Sequence, residues 1–255
     1  MVMNKYNEFN QPPPPKLSPF DPSVLPTRPD LVDIWLPLST DMSRRSTKDL
    51  KGQTCQYMGK TLFLKSIDLT KSFTAQKELF VTLAKEMMEF DHPNVVAAKG
   101  LGLVGYNTKL CVAMEYMDQG SLLNVISNKD KQLTEKQMWQ MCLDISLGLQ
   151  YLHKLGHTHG NLSTKHVLIN SDGQCKLNVQ AIVQPKEEIT RYGAMLVPFC
   201  APETLKNHTT SLAADIYSLA IVFGQIFTRK TPYYELYNEL GYVEGDLRIT
   251  QSLNE

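Results

Sequence analysis

The sequence has no net charge, because 26 lysines and arginines balance 26 aspartates and glutamates. No basic field is available to hold a phosphate backbone or an anionic membrane, so nucleic acid is not an expected partner. Cysteine is sparse and unpatterned. The five residues, Cys55, Cys111, Cys142, Cys175 and Cys200, form no C-x-x-C pair and are odd in number. That excludes a disulfide framework and points to a reducing, intracellular setting. No segment reaches the ~18 uninterrupted apolar residues of a membrane span. The opening MVMNKYNEFNQ has none of the apolar core of a secretory signal. The expected location is the cytoplasm, either for the chain alone or for the intracellular part of a longer membrane protein. There is no internal repeat.

What the chain does have is apolar content, 42% of 255 residues, enough to bury a core in one two-lobed domain or two small ones. Residues 1–40 concentrate the proline, with PPPP at Pro12–Pro15 followed by LSPFDPSVLPTRP. Proline fixes φ and removes amide donors, so this stretch reads as a disordered, polyproline-like linker. It is a plain spacer or a ligand for polyproline-reading domains.

From Thr54 the pattern becomes strand-like. TCQYM and TLFLKSI are separated by Gly59-Lys60, a hairpin signal. A helix is predicted from Ser72 to Phe90, with Leu79, Phe80, Leu83, Met87 and Phe90 at three- and four-residue spacing and Asp91-His92-Pro93 closing it. Val95–Val104 and Lys109–Glu115 read as two more strands. After Gly120 come SLLNVI and the long amphipathic EKQMWQMCLDISLGLQYLHKLG, ending at Gly156. Met87, Met88, Met138 and Met141 are expected to pack on these helices. Strands with one helix, followed by helices, make an α+β chain of two unlike lobes, 41–117 and 118–255.

Eight signposts then stand in the order of a protein kinase signature set. Leu62-Phe63-Leu64-Lys65 resembles the V-A-I-K strand, DHPNVV the turn after helix αC, and Val112–Met117 the hinge. GSLLNVI and LQYLHKLG resemble the start of the helical lobe and the end of its long helix. His159–His166 stands in the place of H-R-D-L-x-x-x-N, Ala201-Pro202-Glu203 is an intact A-P-E, and Asp215–Ser218 resembles D-x-W-S. The chain thus resembles a kinase domain of the tyrosine-kinase or tyrosine-kinase-like branch from about residue 45 onward. The His159-Gly160-Asn161 triplet is similar to the pseudokinase domains of Janus kinases. The resemblance implies a protein-kinase-like fold whose helical lobe is truncated, without the arginine that pairs with Glu203. Marginal stability or dependence on a partner is expected from that.

Phosphoryl transfer needs a group to position the nucleophile, metal ions to neutralise charge, and a clamp on the phosphates. By the resemblance, Asn161 occupies the catalytic aspartate's place, and an amide orients a hydroxyl but takes no proton at neutral pH. Gly160 replaces the arginine that answers a phosphorylated activation loop. His166 replaces the metal-binding asparagine, and imidazole suits softer metals than Mg²⁺. The D-F-G position reads Val179-Gln180-Ala181. Lys65 keeps the phosphate-facing place, but Leu83 stands where helix αC supplies its glutamate, with Glu86 one turn on as a substitute. Only Gly52 remains of a glycine-rich loop. The nucleotide site implied by the resemblance consists of Phe63, Lys65, Met114, Glu115, Met117 and Leu168. Phe63, in place of a small alanine, is expected to fill much of the adenine space; Janus pseudokinases tolerate a leucine there and still hold nucleotide. ATP is therefore expected to bind weakly or not at all, and neither Mg²⁺ nor another metal is expected.

His153, His157, His159 and His166 lie close in sequence, yet no cysteine or carboxylate completes a tetrahedral set, so a structural role is expected of them. Tyr192 is an activation-loop phosphosite or an ordinary surface tyrosine. Arg44-Arg45-Ser46-Thr47 has the form of a basophilic kinase site and is short enough to arise by chance. The leading expectation is an inactive pseudokinase that regulates or scaffolds intracellular signalling through protein partners, such as another kinase. The alternatives are an atypical kinase with weak ATP-dependent transfer to tyrosine or serine/threonine, and an adaptor whose folded part presents the proline-rich tail.

Overall fold

The computed structural model of the protein describes residues 42–43, 53–105, 108–179, 197–207 and 209–254. The proline-rich stretch 1–40, Arg44–Thr47, Gly52, Gln180-Ala181 and Tyr192 lie outside the described residues.

Five strands form an antiparallel sheet in the order β1-β2-β3-β5-β4: β1 (Met42–Ser43), β2 (Gln53–Tyr57), β3 (Lys60–Asp68), β4 (Ala98–Val104) and β5 (Lys109–Glu115). Alternation divides the apolar side chains between the two faces. Leu62, Leu64, Cys111 and Ala113 make a small cluster on one face, while Phe63, Val112 and Met114 join the main core on the other. Tyr57 pairs with Lys60, so the hairpin turn is Met58-Gly59, one residue earlier than Gly59-Lys60. Both turn residues have positive φ, 47° and 73°, as a two-residue turn matching the strand twist requires.

Helix α1 (Thr74–Glu89) buries Phe80, Val81, Ala84 and Met87. The expected face is thus corrected: Leu79 is 42% exposed, and Leu79 and Leu83 only border the stripe. The spacing 80, 81, 84, 87 turns the small Ala84 inward instead of Leu83. The strand expected from Val95 starts three residues later, because Asn94 O and Val96 N bond to Leu177 of another element and Val95 N turns back to His92 O. Val96 N donates to Leu177 O at 2.9 Å, and Leu177 N donates to Asn94 O at 2.8 Å.

The helical lobe begins with α2 (Leu122–Ser127), capped by Ser121, and α3 (Glu135–Lys154), whose Thr134 and Gln137 form a reciprocal capping box. A three-stranded sheet, β6 (Gly120–Ser121), β7 (Val167–Ile169) and β8 (Cys175–Leu177), lies against α3. Met141 is buried and Met138 half-buried on α3, as expected. Beyond a short 3-10 turn at Val197–Phe199 come α4 (Pro202–Asn207), α5 (Leu212–Thr228) and α6 (Tyr234–Asn254), the last broken at Gly241. The chain is therefore a two-lobed, kinase-like α+β fold. No helix among the described residues is long and apolar enough to cross a membrane.

The lobes are tied together behind the cleft. Asp91 N donates to the Tyr151 hydroxyl at 2.9 Å, His92 stacks on the Tyr151 ring, and Asn94 Nδ2 donates to Cys175 O at 3.0 Å. The end of α1 is thereby fixed to α3 and β8.

Candidate functional site

The loop His159–His166 is organised from below by one buried carboxylate. Asp215, at the start of α5 and 2% exposed, accepts from His159 N at 2.7 Å, Gly160 N at 2.8 Å and His153 Nε2 at 2.9 Å. Gly160 has φ +69°, and a Cβ there would meet the Thr210 side chain at 3.1 Å, so the turn suits glycine. The His153 ring and the His159 backbone thus have structural partners, while His159 Nε2 is buried with no hydrogen-bond partner among the described residues. Among the described residues no group of three histidine, cysteine or acidic side chains is placed to hold a metal.

Asn161 follows as the third residue of the loop. Its carbonyl accepts from His166 Nδ1 at 2.6 Å, and His166 N donates to Ser163 O. The imidazole is thereby pinned to the loop's own backbone, with Nε2 as its remaining nitrogen. Burial first, then the nearby Lys165 and Lys65 ammonium groups, hold His166 below the ordinary histidine value, against the opposing bond to Asn161. Lys65 is therefore within electrostatic reach of His166 across the cleft. An imidazole beside two cations offers no hard oxygen to a magnesium ion. Val179, at the sequence position of the D-F-G aspartate, is wholly buried and brings an isopropyl group.

The remaining predicted residues line the opposite wall. Phe63 pairs with Met114 across β3 and β5, and Lys65 with Val112. Phe63, Met114, Met117 and Leu168 are 6%, 1%, 3% and 3% exposed and belong to one contiguous apolar cluster. Lys65 is half-buried and has interactions of its own. Leu83 and Glu86 are both half-buried on α1. Glu115 faces away from this cluster's chemistry: its carboxylate accepts from Ala97 N at 2.7 Å and from Lys176 Nζ at 2.7 Å.

Three residues of this region carry no sequence mark of what they do. Asp215 was seen as part of a motif but not as the acceptor of three bonds. Lys176 lies in the strand before the D-F-G position and carried no signal of its own, since a lone lysine in a strand has many uses. Thr204, beside the A-P-E segment, lines the same small cavity as Asn161 and likewise had no sequence mark.

The family model described as protein tyrosine and serine/threonine kinase matches residues 50–251. Ephrin type-A receptor 5 of Rattus norvegicus is 30% identical over 171 residues, covering 64% of this chain and 17% of the receptor. Its counterpart in Homo sapiens is also 30% identical, over 64% of this chain and 16% of the receptor. Ephrin type-A receptor 8 of Homo sapiens is 29% identical over 183 residues, 68% of this chain and 18% of the receptor. The chain spans about a sixth of the length of these curated relatives. The strand-rich sheet with one helix, the helical lobe below it and the ordered signposts between them place this chain in the protein tyrosine and serine/threonine kinase family, on its tyrosine-kinase branch.

Proposed function

We propose that this chain is a pseudokinase: a kinase-fold domain that transfers no phosphate and acts as a regulatory or scaffolding surface for protein partners in intracellular signalling. The observation that carries the reading is the pinned imidazole of His166, held to Asn161 O at 2.6 Å where the family places an oxygen ligand. Asn161 at the base position and the buried Val179 at the D-F-G aspartate position support it from two further sides. The residues present do not fit magnesium, so no transfer step is derived through Mg²⁺ and ATP.

The apolar closure of Phe63, Met114, Met117 and Leu168 supports weak or no nucleotide binding. Lys65 and Glu115 complete the proposed nucleotide wall, with Glu115 committed to holding the hinge. In this reading 41–117 and 118–255 are the two lobes, and 1–40 is a linker that a polyproline-reading domain could take. The cytoplasm is the proposed location, in keeping with a kinase-family chain whose described helices include no membrane span.

The direct test is transfer of labelled γ-phosphate to the chain itself and to tyrosine- and serine-containing peptides, with Mg²⁺ and with Mn²⁺. Incorporation no higher than in a Lys65→Met control is the expected result. Incorporation that disappears in that control would overturn the reading and return the chain to the active kinases.

A further inference from the structure

Below the loop, the structure holds a small cavity of about 20 Å³ lined by Gly160, Asn161, Thr204 and Asp215, with Phe199 and Ser218 among its other walls. Two of these lining residues each carry a polar atom, Asn161 Nδ2 and Thr204 Oγ1, that is shut off from solvent and has no hydrogen-bond partner among the described residues. A buried donor without a partner is costly, and native folds rarely leave two at one place.

We propose that a single water molecule is bound there, joining the loop, α4 and α5. The volume suits one water and nothing larger, since a water site needs roughly 10–15 Å³ by this measure. The donor and acceptor inventory closes as well. The water accepts from Asn161 Nδ2 and exchanges a hydrogen bond with Thr204 Oγ1. Its remaining hydrogen goes to Asp215, whose carboxylate offers about four lone-pair sites and uses three of them on His159 N, Gly160 N and His153 Nε2. Ser218 has no hydrogen to give there, because its single hydroxyl proton is shared between Phe199 O and Ala214 O. Three partners are the usual complement of an internal water.

This site commits the Asn161 amide to an internal network instead of a substrate hydroxyl. It stands on geometry alone and does not depend on the function proposed above; its failure would leave the phosphate-transfer assay unchanged.

The test is a crystal structure of the unmodified chain at a resolution that shows ordered solvent, together with a thermal double-variant cycle. One solvent peak within hydrogen-bond distance of Asn161 Nδ2, Thr204 Oγ1 and the Asp215 carboxylate is expected. Thr204→Val should lower Tm by about 2–4 °C, as the loss of one such bond does in a domain of this size. Asn161→Leu combined with Thr204→Val should cost less than the sum of the two, because the first loss already removes most of what held the water. A dry cavity with Asn161 bonded directly to Thr204, or strictly additive shifts, would overturn the proposal.

Discussion

His159 is wholly buried, and burial first, then the neighbouring His166, pulls its imidazole down from 6.5 to about 3. His166 is lowered for the same leading reason. Above pH 6.5 both rings are neutral in folded and unfolded chains, so they cost nothing. Below it the unfolded chain takes up protons that the folded one refuses, so stability falls with pH, by about 1.4 kcal/mol per pH unit for His159, and His166 adds to the fall in the same direction. Thermal melting should therefore be flat just above pH 6.5 and should decline as pH falls from 6.5 toward 3. His166→Asn should flatten part of that decline. A Tm that rises on mild acidification would show that these rings are protonated in the fold. The loop's residues were legible one by one, because H-x-N-x-x-x-x-H keeps its family spacing. Their burial was not legible, because it depends on Asp215 arriving from more than fifty residues away.

Helix α3 is the element on which both lobes rest, and Gly148 is where it is approached most closely. A Cβ at this position would lie 2.5 Å from Asn94 O and 3.1 Å from Leu177 Cγ. The first of these is backbone and already accepts from Leu177 N, so it has little room to give. Gly148→Ala should destabilise the chain by about 1–3 kcal/mol, an overpacking cost far above the few tenths that alanine gains in a helix. Urea unfolding measures it, and an unchanged midpoint would mean that α3 and the Asn94 turn are not in contact. The sequence marked α3 correctly from its 3.6-residue period and its cap. It also marked the existence of α1, but not which side of it is buried: Leu79 and Leu83 look like core, whereas the sheet and α3 select Phe80, Val81, Ala84 and Met87.

At the scale of the whole molecule, Glu115 and Lys176 join the lobes. Their pair at 2.7 Å is mostly shielded from solvent, and Glu115 also accepts from Ala97 N. Glu115→Gln leaves Lys176 without a charged partner and should cost about 1–2 kcal/mol, near the lower range for a hydrogen bond to a charged group. Faster amide exchange at Ala97 is the accompanying signature, and unaltered exchange there would remove Glu115 from the role of clamp. Taken alone, the sequence determined the α+β class, the strand-rich first part followed by helices, and the kinase family. Those follow from local periodicity and from residue types at fixed spacing, which a linear chain records. Tertiary structure alone decided that Asp215 gathers the loop, that Glu115 spans the lobes, that Asn94 and Val96 serve β8, and that Asn161 and Thr204 line one cavity. Each of these is a meeting of segments far apart in the chain, and such meetings are fixed by packing the whole core at once.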